Sequence, residues 1–251
     1  MKLLQILPSI ITLGNLISGF LAITYIANNY LMMAAWLIFI GMLCDMFDGK
    51  VARLTHGCSD FGEQLDSLSD LVTFGVAPAF LAEGYIAQHT NILNPFIIWL
   101  FCLPFVVCAA CRLARFNVET EQDESSHIYF KGLATPAAAG VIASLVLCSP
   151  FMPQWIPETV YQVIMIVAIL SLSLLMVSNI RYVHMGIQLL KDKRRPMICL
   201  GVALFFLITI GFRIQVLIFM LALGFLSYTY VSPLALLLST KKTSDSKVVD
   251  E

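Results

Sequence analysis

At 251 residues, with 59% hydrophobic and 12% charged side chains and a mean hydropathy of +0.86, the chain lies far from the roughly 25% charged residues of a soluble domain. These values exclude a water-soluble globular protein and predict an all-α polytopic membrane protein. About eight spans of roughly 20 residues each leave little chain for a soluble domain, and no nucleic-acid partner is expected. The net charge of −1 carries little information, because the side of the membrane on which Lys and Arg collect matters more than their sum.

In chain order, an apolar run from about Pro8 to Ile26, broken by Thr12, Asn15 and Ser18, predicts a retained first helix. Asn28-Asn29-Tyr30 predicts a tight return, and a second span from Leu31 carries Asp45 and Asp48 near its end. A turn is expected at Gly57 to Ser59, a third span from Gly62 to Ile86, and a fourth from Pro95 to Cys111 followed by a polar loop to Lys131. The fifth span, G-L-A-T-P-A-A-A-G-V-I-A-S, is rich in small residues and suits close helix contact. A sixth covers about Val160 to Ile180, a basic loop runs from Arg181 to Arg195, and a seventh and eighth fall at Met197 to Ile210 and Ile214 to Leu238. Residues 1–240 thus form a single membrane domain, and 241–251 a polar cytoplasmic tail expected to be disordered. The seven cysteines lie mostly in apolar segments, where Cys108 and Cys111 read as small hydrophobes rather than a redox pair.

Eight spans with both termini inside would put Lys2, Lys50, Arg53, Arg112, Arg115, Lys131, Arg181 and the basic residues from Lys191 onward on the cytoplasmic side, except Arg213. That is fourteen of the fifteen Lys and Arg residues, the bias expected of cytoplasmic loops. The plasma (inner) membrane is the expected location, with the stretch from Asp45 to Asp70 at its cytoplasmic interface.

That stretch is the chemical anomaly. Each ionisable group at membrane depth costs on the order of 2.5 to 3.5 kcal/mol, so four carboxylates together need an ion or a ligand. Asp45 and Asp48, three apart, share one helix face, and Asp66 and Asp70, four apart, share another. All-oxygen ligation of this kind suits Mg²⁺ or Mn²⁺. Gly49 and Ala52 leave a flat patch on the face of Asp45, and Arg53 adds a cationic fork suited to phosphate. Metals beside an arginine and a small-residue face suit a pyrophosphate-linked nucleotide, so phosphoryl transfer is the leading chemistry. A ligand-free ion-pair cluster and an ion-coupled transporter are the competing readings; the transporter would be expected to show an internal repeat, and none is evident.

The pattern D-x-x-D-G-x-x-A-R-x8-G-x-x-x-D-x-x-x-D, complete from Asp45 to Asp70, resembles the signature of the CDP-alcohol phosphotransferases. The resemblance implies a membrane bundle with a six-helix catalytic core, two divalent ions (Mg²⁺ or Mn²⁺) and a CDP-linked donor. It implies that Asp45, Asp48, Asp66 and Asp70 ligate metal, with Asp70 also the general base. Gly49, Ala52, Arg53, Gly62 and Ser59 correspond to the surface for the cytidine diphosphate, and Asn15 in the first span is a candidate either for a contact to the cytidine or for capping a helix contact. L-P-S-I-I-T-L-G-N-L-I-S-G-F-L-A-I at Leu7 to Ile23, D-S-L-S-D-L-V-T-F-G-V-A-P-A at Asp66 to Ala79, C-R-L-A-R-F-N-V at Cys111 to Val118 and G-L-A-T-P-A-A-A at Gly132 to Ala139 look like the membrane-type phosphatidylserine synthase branch. That similarity implies CDP-diacylglycerol and L-serine as substrates, membrane lipids as surroundings and a homodimer. Glycerol 3-phosphate or inositol phosphate is the alternative acceptor. Ser9 and Ala134 depart from the branch's usual Asn and Pro. Arg112 and Arg115, three apart, are candidates for the acceptor carboxylate or a donor phosphate.

Overall fold

The computed structural model describes residues 3–55, 59–89, 94–122, 129–153, 155–183 and 222–231. Helix α1 (Leu3–Ala27) returns into α2 (Leu31–Thr55) through the expected turn, where Asn29 adopts φ 65°. Asparagine tolerates this left-handed conformation, and the turn closes with the Tyr30 N–H donating to the Tyr25 carbonyl at 2.9 Å. Helix α3 (Asp60–Asp70) continues through a π-helical turn (Leu71–Val76) into α4 (Ala77–His89), one rod from Asp60 to His89. Then come α5 (Pro95–Gln122), α6 (Thr135–Cys148) and α7 (Glu158–Val177).

Among the described residues five segments are long and apolar enough to cross a membrane: Pro8–Ala27, Leu31–Ala52, Asp60–His89, Pro95–Val118 and Glu158–Val177. Thr135–Phe151 is a shorter apolar helix. These correspond to the first six expected spans. The expected seventh span, the tail 241–251 and most of the eighth lie outside the described residues, so the count of eight is not established.

The fold class is all-α, with one local departure. Where an irregular loop was expected up to Lys131 and another from Arg181, strands β1 (Tyr129–Lys131) and β2 (Arg181–Val183) pair antiparallel, Phe130 opposite Tyr182. Their aromatic and β-branched residues favour an extended ladder. The helix of the fourth span also runs past its expected end at Cys111 to Gln122, because Arg112 to Gln122 contains neither Gly nor Pro.

The core lies between α2, α4, α5, α6 and α7, with Ile38, Phe74, Leu81, Tyr85, Phe105, Ile142 and Met165 fully buried. Ala137, Ala138, Ala139, Gly140, Ala143 and Ser144 are all buried within this one chain. The small-residue stripe of α6 is therefore consumed inside the protomer, and the Phe225 ring sits directly against Gly140. Large apolar side chains such as Phe20, Phe96 and Leu174 face outward, as the lipid-facing surface of a membrane bundle requires.

Candidate active site

Ser59 starts the local construction. It caps α3, its hydroxyl oxygen accepting from the Gly62 N–H at 3.1 Å, and Asp60 and Glu63 in the first turn favour the positive end of the helix. Gly62 has a structural reason to be small: a β-carbon there would come within 3.2 Å of the Ser59 Oγ. One turn later the helix delivers Asp66, and one more turn delivers Asp70.

Across from it, α2 presents Asp45 and Asp48. One ligand atom from each of Asp45, Asp48 and Asp66 lies within 4.8 Å of the others. Asp48 is buried, with only 5% of its surface exposed, and Asp45 and Asp66 are half-buried. Asp48 Oδ2 and Asp66 Oδ1 are buried without a hydrogen-bond partner among the described residues. A buried carboxylate oxygen left unpaired is costly, so orphaned lone pairs converging from two helices fit a hard cation.

Asp70 stands slightly apart. It is 9% exposed, within electrostatic reach of Asp45 and Asp66, and held from a third helix: the Asn15 Nδ2 donates to its Oδ1 at 3.1 Å. Asn15 is fully buried, and its backbone carbonyl accepts from the Thr73 hydroxyl at 2.9 Å. Thr73 belongs to the π turn that begins immediately after Asp70. Asn15, read from the sequence as either a cytidine contact or a helix contact, thus has its amide donor on the carboxylate of Asp70.

Among the described residues a β-carbon on Gly49 would meet nothing within 4 Å, and Ala52, three residues on along the same helix, is half-buried. The side chain of Arg53 and residues 56–58 lie outside the described residues. The two arginines of α5 separate. Arg112 stacks over Phe116 at 5.4 Å, donates to the Thr135 hydroxyl at 3.3 Å and lies within electrostatic reach of Asp70 and Asp45. Among the described residues no carboxylate comes within ion-pairing distance of it. Arg115 turns away, donating to the Asn179 Oδ1 at 2.8 Å and the Val177 carbonyl at 3.5 Å, and so fastens α5 to the end of α7.

Some of this was hidden from sequence reasoning. Thr12, Asn15 and Ser18 recur every three residues in the first span, so they share one face of α1, a usable signal that a polar contact lay there. The Ser18 hydroxyl donates to the Leu37 carbonyl at 2.6 Å, joining α1 to α2. Thr73 and Tyr228 gave no comparable signal; Tyr228 packs against the core within electrostatic reach of Arg112.

Comparison with known proteins gives the same direction. The sequence model for CDP-alcohol phosphatidyltransferase matches residues 5–175, which hold α2 to α6 and nearly all of α1 and α7. A Bacillus subtilis protein named CDP-diacylglycerol–serine O-phosphatidyltransferase is 37% identical over 178 residues, covering 71% of this chain and 90% of the relative. Proteins of the same name from Helicobacter pylori and Methanocaldococcus jannaschii are 35% and 38% identical, covering 71% and 68% of this chain and 72% and 71% of their own. The matched region contains every aspartate of the cluster, and the chain is a member of the CDP-alcohol phosphatidyltransferase family.

Proposed function

We propose that the chain is an integral membrane CDP-diacylglycerol–serine O-phosphatidyltransferase that forms phosphatidylserine and CMP. The observation that carries the reading is the convergence of Asp45, Asp48 and Asp66, with Asp70 held beside them, in a chain whose relatives bear that name.

Asp45, Asp48 and Asp66, with Asp70 as a further ligand, would hold two divalent ions, Mg²⁺ or Mn²⁺. When bound, the ions neutralise charge on the donor's phosphates and favour loss of the serine hydroxyl proton. Asp70 accepts that proton. The serine oxygen then forms a bond to the phosphorus that carries diacylglycerol, and the bond from that phosphorus to the CMP oxygen breaks. Gly49, Ala52, Gly62 and Arg53 line the path for the cytidine diphosphate. The Ser59 oxygen is used by its cap, which leaves its O–H to donate to a donor phosphate.

Arg112 takes the serine carboxylate. Its guanidinium donates to Thr135 and faces the aspartates without an ion-pair partner among the described residues, whereas Arg115 is engaged at α7. The planar fork of the Arg112 guanidinium matches a carboxylate in geometry and charge. The positive-inside bias supports an inner-membrane location with the site and both termini cytoplasmic. A homodimer is the state that the family resemblance implies; the small residues of α6 do not serve it, being buried within the chain.

The test is CMP release by purified protein supplied with CDP-diacylglycerol, Mn²⁺ or Mg²⁺ and a panel of acceptors. Release with L-serine, abolished by EDTA and restored by the metal, is expected. Release only with glycerol 3-phosphate or inositol phosphate would overturn the acceptor, and serine-dependent release undiminished in EDTA would overturn the metal assignment.

A further inference from the structure

The geometry points to Asn15 as a positioning residue for Asp70, anchored by Thr73, rather than as a contact to the donor's nucleotide. This rests on the reading of Asp70 as the base.

Three observations on separate elements converge. The first is the amide contact itself, Asn15 Nδ2 to Asp70 Oδ1 at 3.1 Å, between a fully buried position on α1 and the end of α3. A hydrogen bond to an ionised carboxylate is charge-assisted and directional, so it occupies one carboxylate oxygen and leaves the other to face the site. The second is the anchor. Asn15 is prevented from moving outward with the carboxylate because its own backbone carbonyl accepts from the Thr73 Oγ1 at 2.9 Å. Thr73 lies three residues after Asp70, so one short piece of chain, Asp70 to Thr73, grips Asn15 at both its side chain and its backbone.

The third is the fit of the neighbours. A β-carbon on Gly19 would come within 2.8 Å of the Thr73 Cα, and one on Gly41 within 3.0 Å of the Asn15 Oδ1. Helix α1 therefore meets the backbone of the π turn at Gly19, and α2 packs on the Thr73 and Asn15 side chains at Gly41. The Asn15 Oδ1, buried without a hydrogen-bond partner among the described residues, faces the α2 backbone at Gly41. With the amide turned the other way the oxygen would face the Asp70 carboxylate, so the donor orientation is the one that electrostatics favours. π turns inserted in α-helices recur at functional sites, and here the insertion places Thr73 where it can reach back to α1.

The experiment measures steady-state kinetics in CDP-diacylglycerol and in serine for the full-length protein, with Mn²⁺ binding monitored by EPR and thermal unfolding recorded in parallel. Asn15→Leu removes the donor at similar volume. It is expected to lower kcat by about 10- to 100-fold, the range for losing a residue that orients a site group. Both KM values are expected to stay within about two-fold, because uniform substrate binding is untouched. Mn²⁺ binding through Asp45, Asp48 and Asp66 is expected to persist. Thr73→Val, which keeps the shape and loses the hydroxyl, is expected to move kcat the same way by a smaller factor, and it serves as the test if Asn15→Leu does not fold. Unchanged kcat in the folded variants, or a rise confined to the KM for CDP-diacylglycerol, overturns the inference. Turnover retained by Asp70→Asn would instead remove the base assignment, so the two failures are distinguishable.

Discussion

Gly49 is where the difference between a structural and a functional small residue can be measured. It lies in α2, one residue after Asp48, and among the described residues a methyl group added there meets nothing within 4 Å beyond its own helix. Alanine also favours a helix over glycine by up to about 1 kcal/mol, so Gly49→Ala is expected to keep or raise the unfolding temperature. If the face holds the cytidine diphosphate, the same variant raises the KM for CDP-diacylglycerol roughly 5-fold, about 1 kcal/mol of lost binding, with kcat little changed. An unchanged KM would show that nothing docks at Gly49. The spacing of the four aspartates was legible in the sequence because helix periodicity turns three- and four-residue steps into shared faces. The partner of Asn15 was not, because Asp70 lies 55 residues away and only the packing of α1 on α3 brings them together.

Among the elements, the rod from Asp60 to His89 does most to organise the site. Its first half carries the polar face of Asp66 and Asp70, its second half is buried with Leu81, Tyr85 and Ile86, and the π turn joins the two. One extra residue in a helix rotates every later side chain by about 100°, so the turn lets a carboxylate face and a core face sit on one rod. Hydropathy reveals such a span but not the turn, since Leu71 to Val76 reads as ordinary apolar helix. Gly19→Ala tests the crossing. The added methyl would meet the Thr73 hydroxyl and backbone, so a loss of roughly 1 to 3 kcal/mol in stability and a fall in kcat are expected. Gly14→Ala, whose nearest neighbour would be the Cys44 Sγ at an ordinary 3.6 Å, is expected to be tolerated. Equal tolerance of both substitutions would refute the close crossing.

For the whole molecule, the chemistry lies at one end of the bundle, and a second set of polar contacts ties the helices at the other. The aspartates gather between the last turns of α2 and the second half of α3. At the other end of the same helices the Tyr85 hydroxyl donates to the Glu158 Oε1 at 3.0 Å and the Gln162 amide to the His89 carbonyl at 2.5 Å, tying α4 to α7. The segment around Phe225 and Tyr228, beyond the region matched by the family, closes over α6 and reaches toward Arg112. Its position was not legible in the sequence, because an apolar span without a motif carries no information about which neighbours it selects. The charge asymmetry is a property of the sequence, and the proposal that the aspartate end faces the cytoplasm, where serine and CMP are soluble, rests on it. The proposed chemistry then stands on one carboxylate. In a reaction of CDP-diacylglycerol with serine and Mn²⁺, the wild-type protein is expected to form phosphatidylserine and CMP in equal amounts. Asp70→Asn, with Mn²⁺ still bound through the other three aspartates, is expected to lose at least about 10²- to 10⁴-fold in turnover. CMP and phosphatidylserine formed at the wild-type rate by a folded Asp70→Asn protein would contradict it.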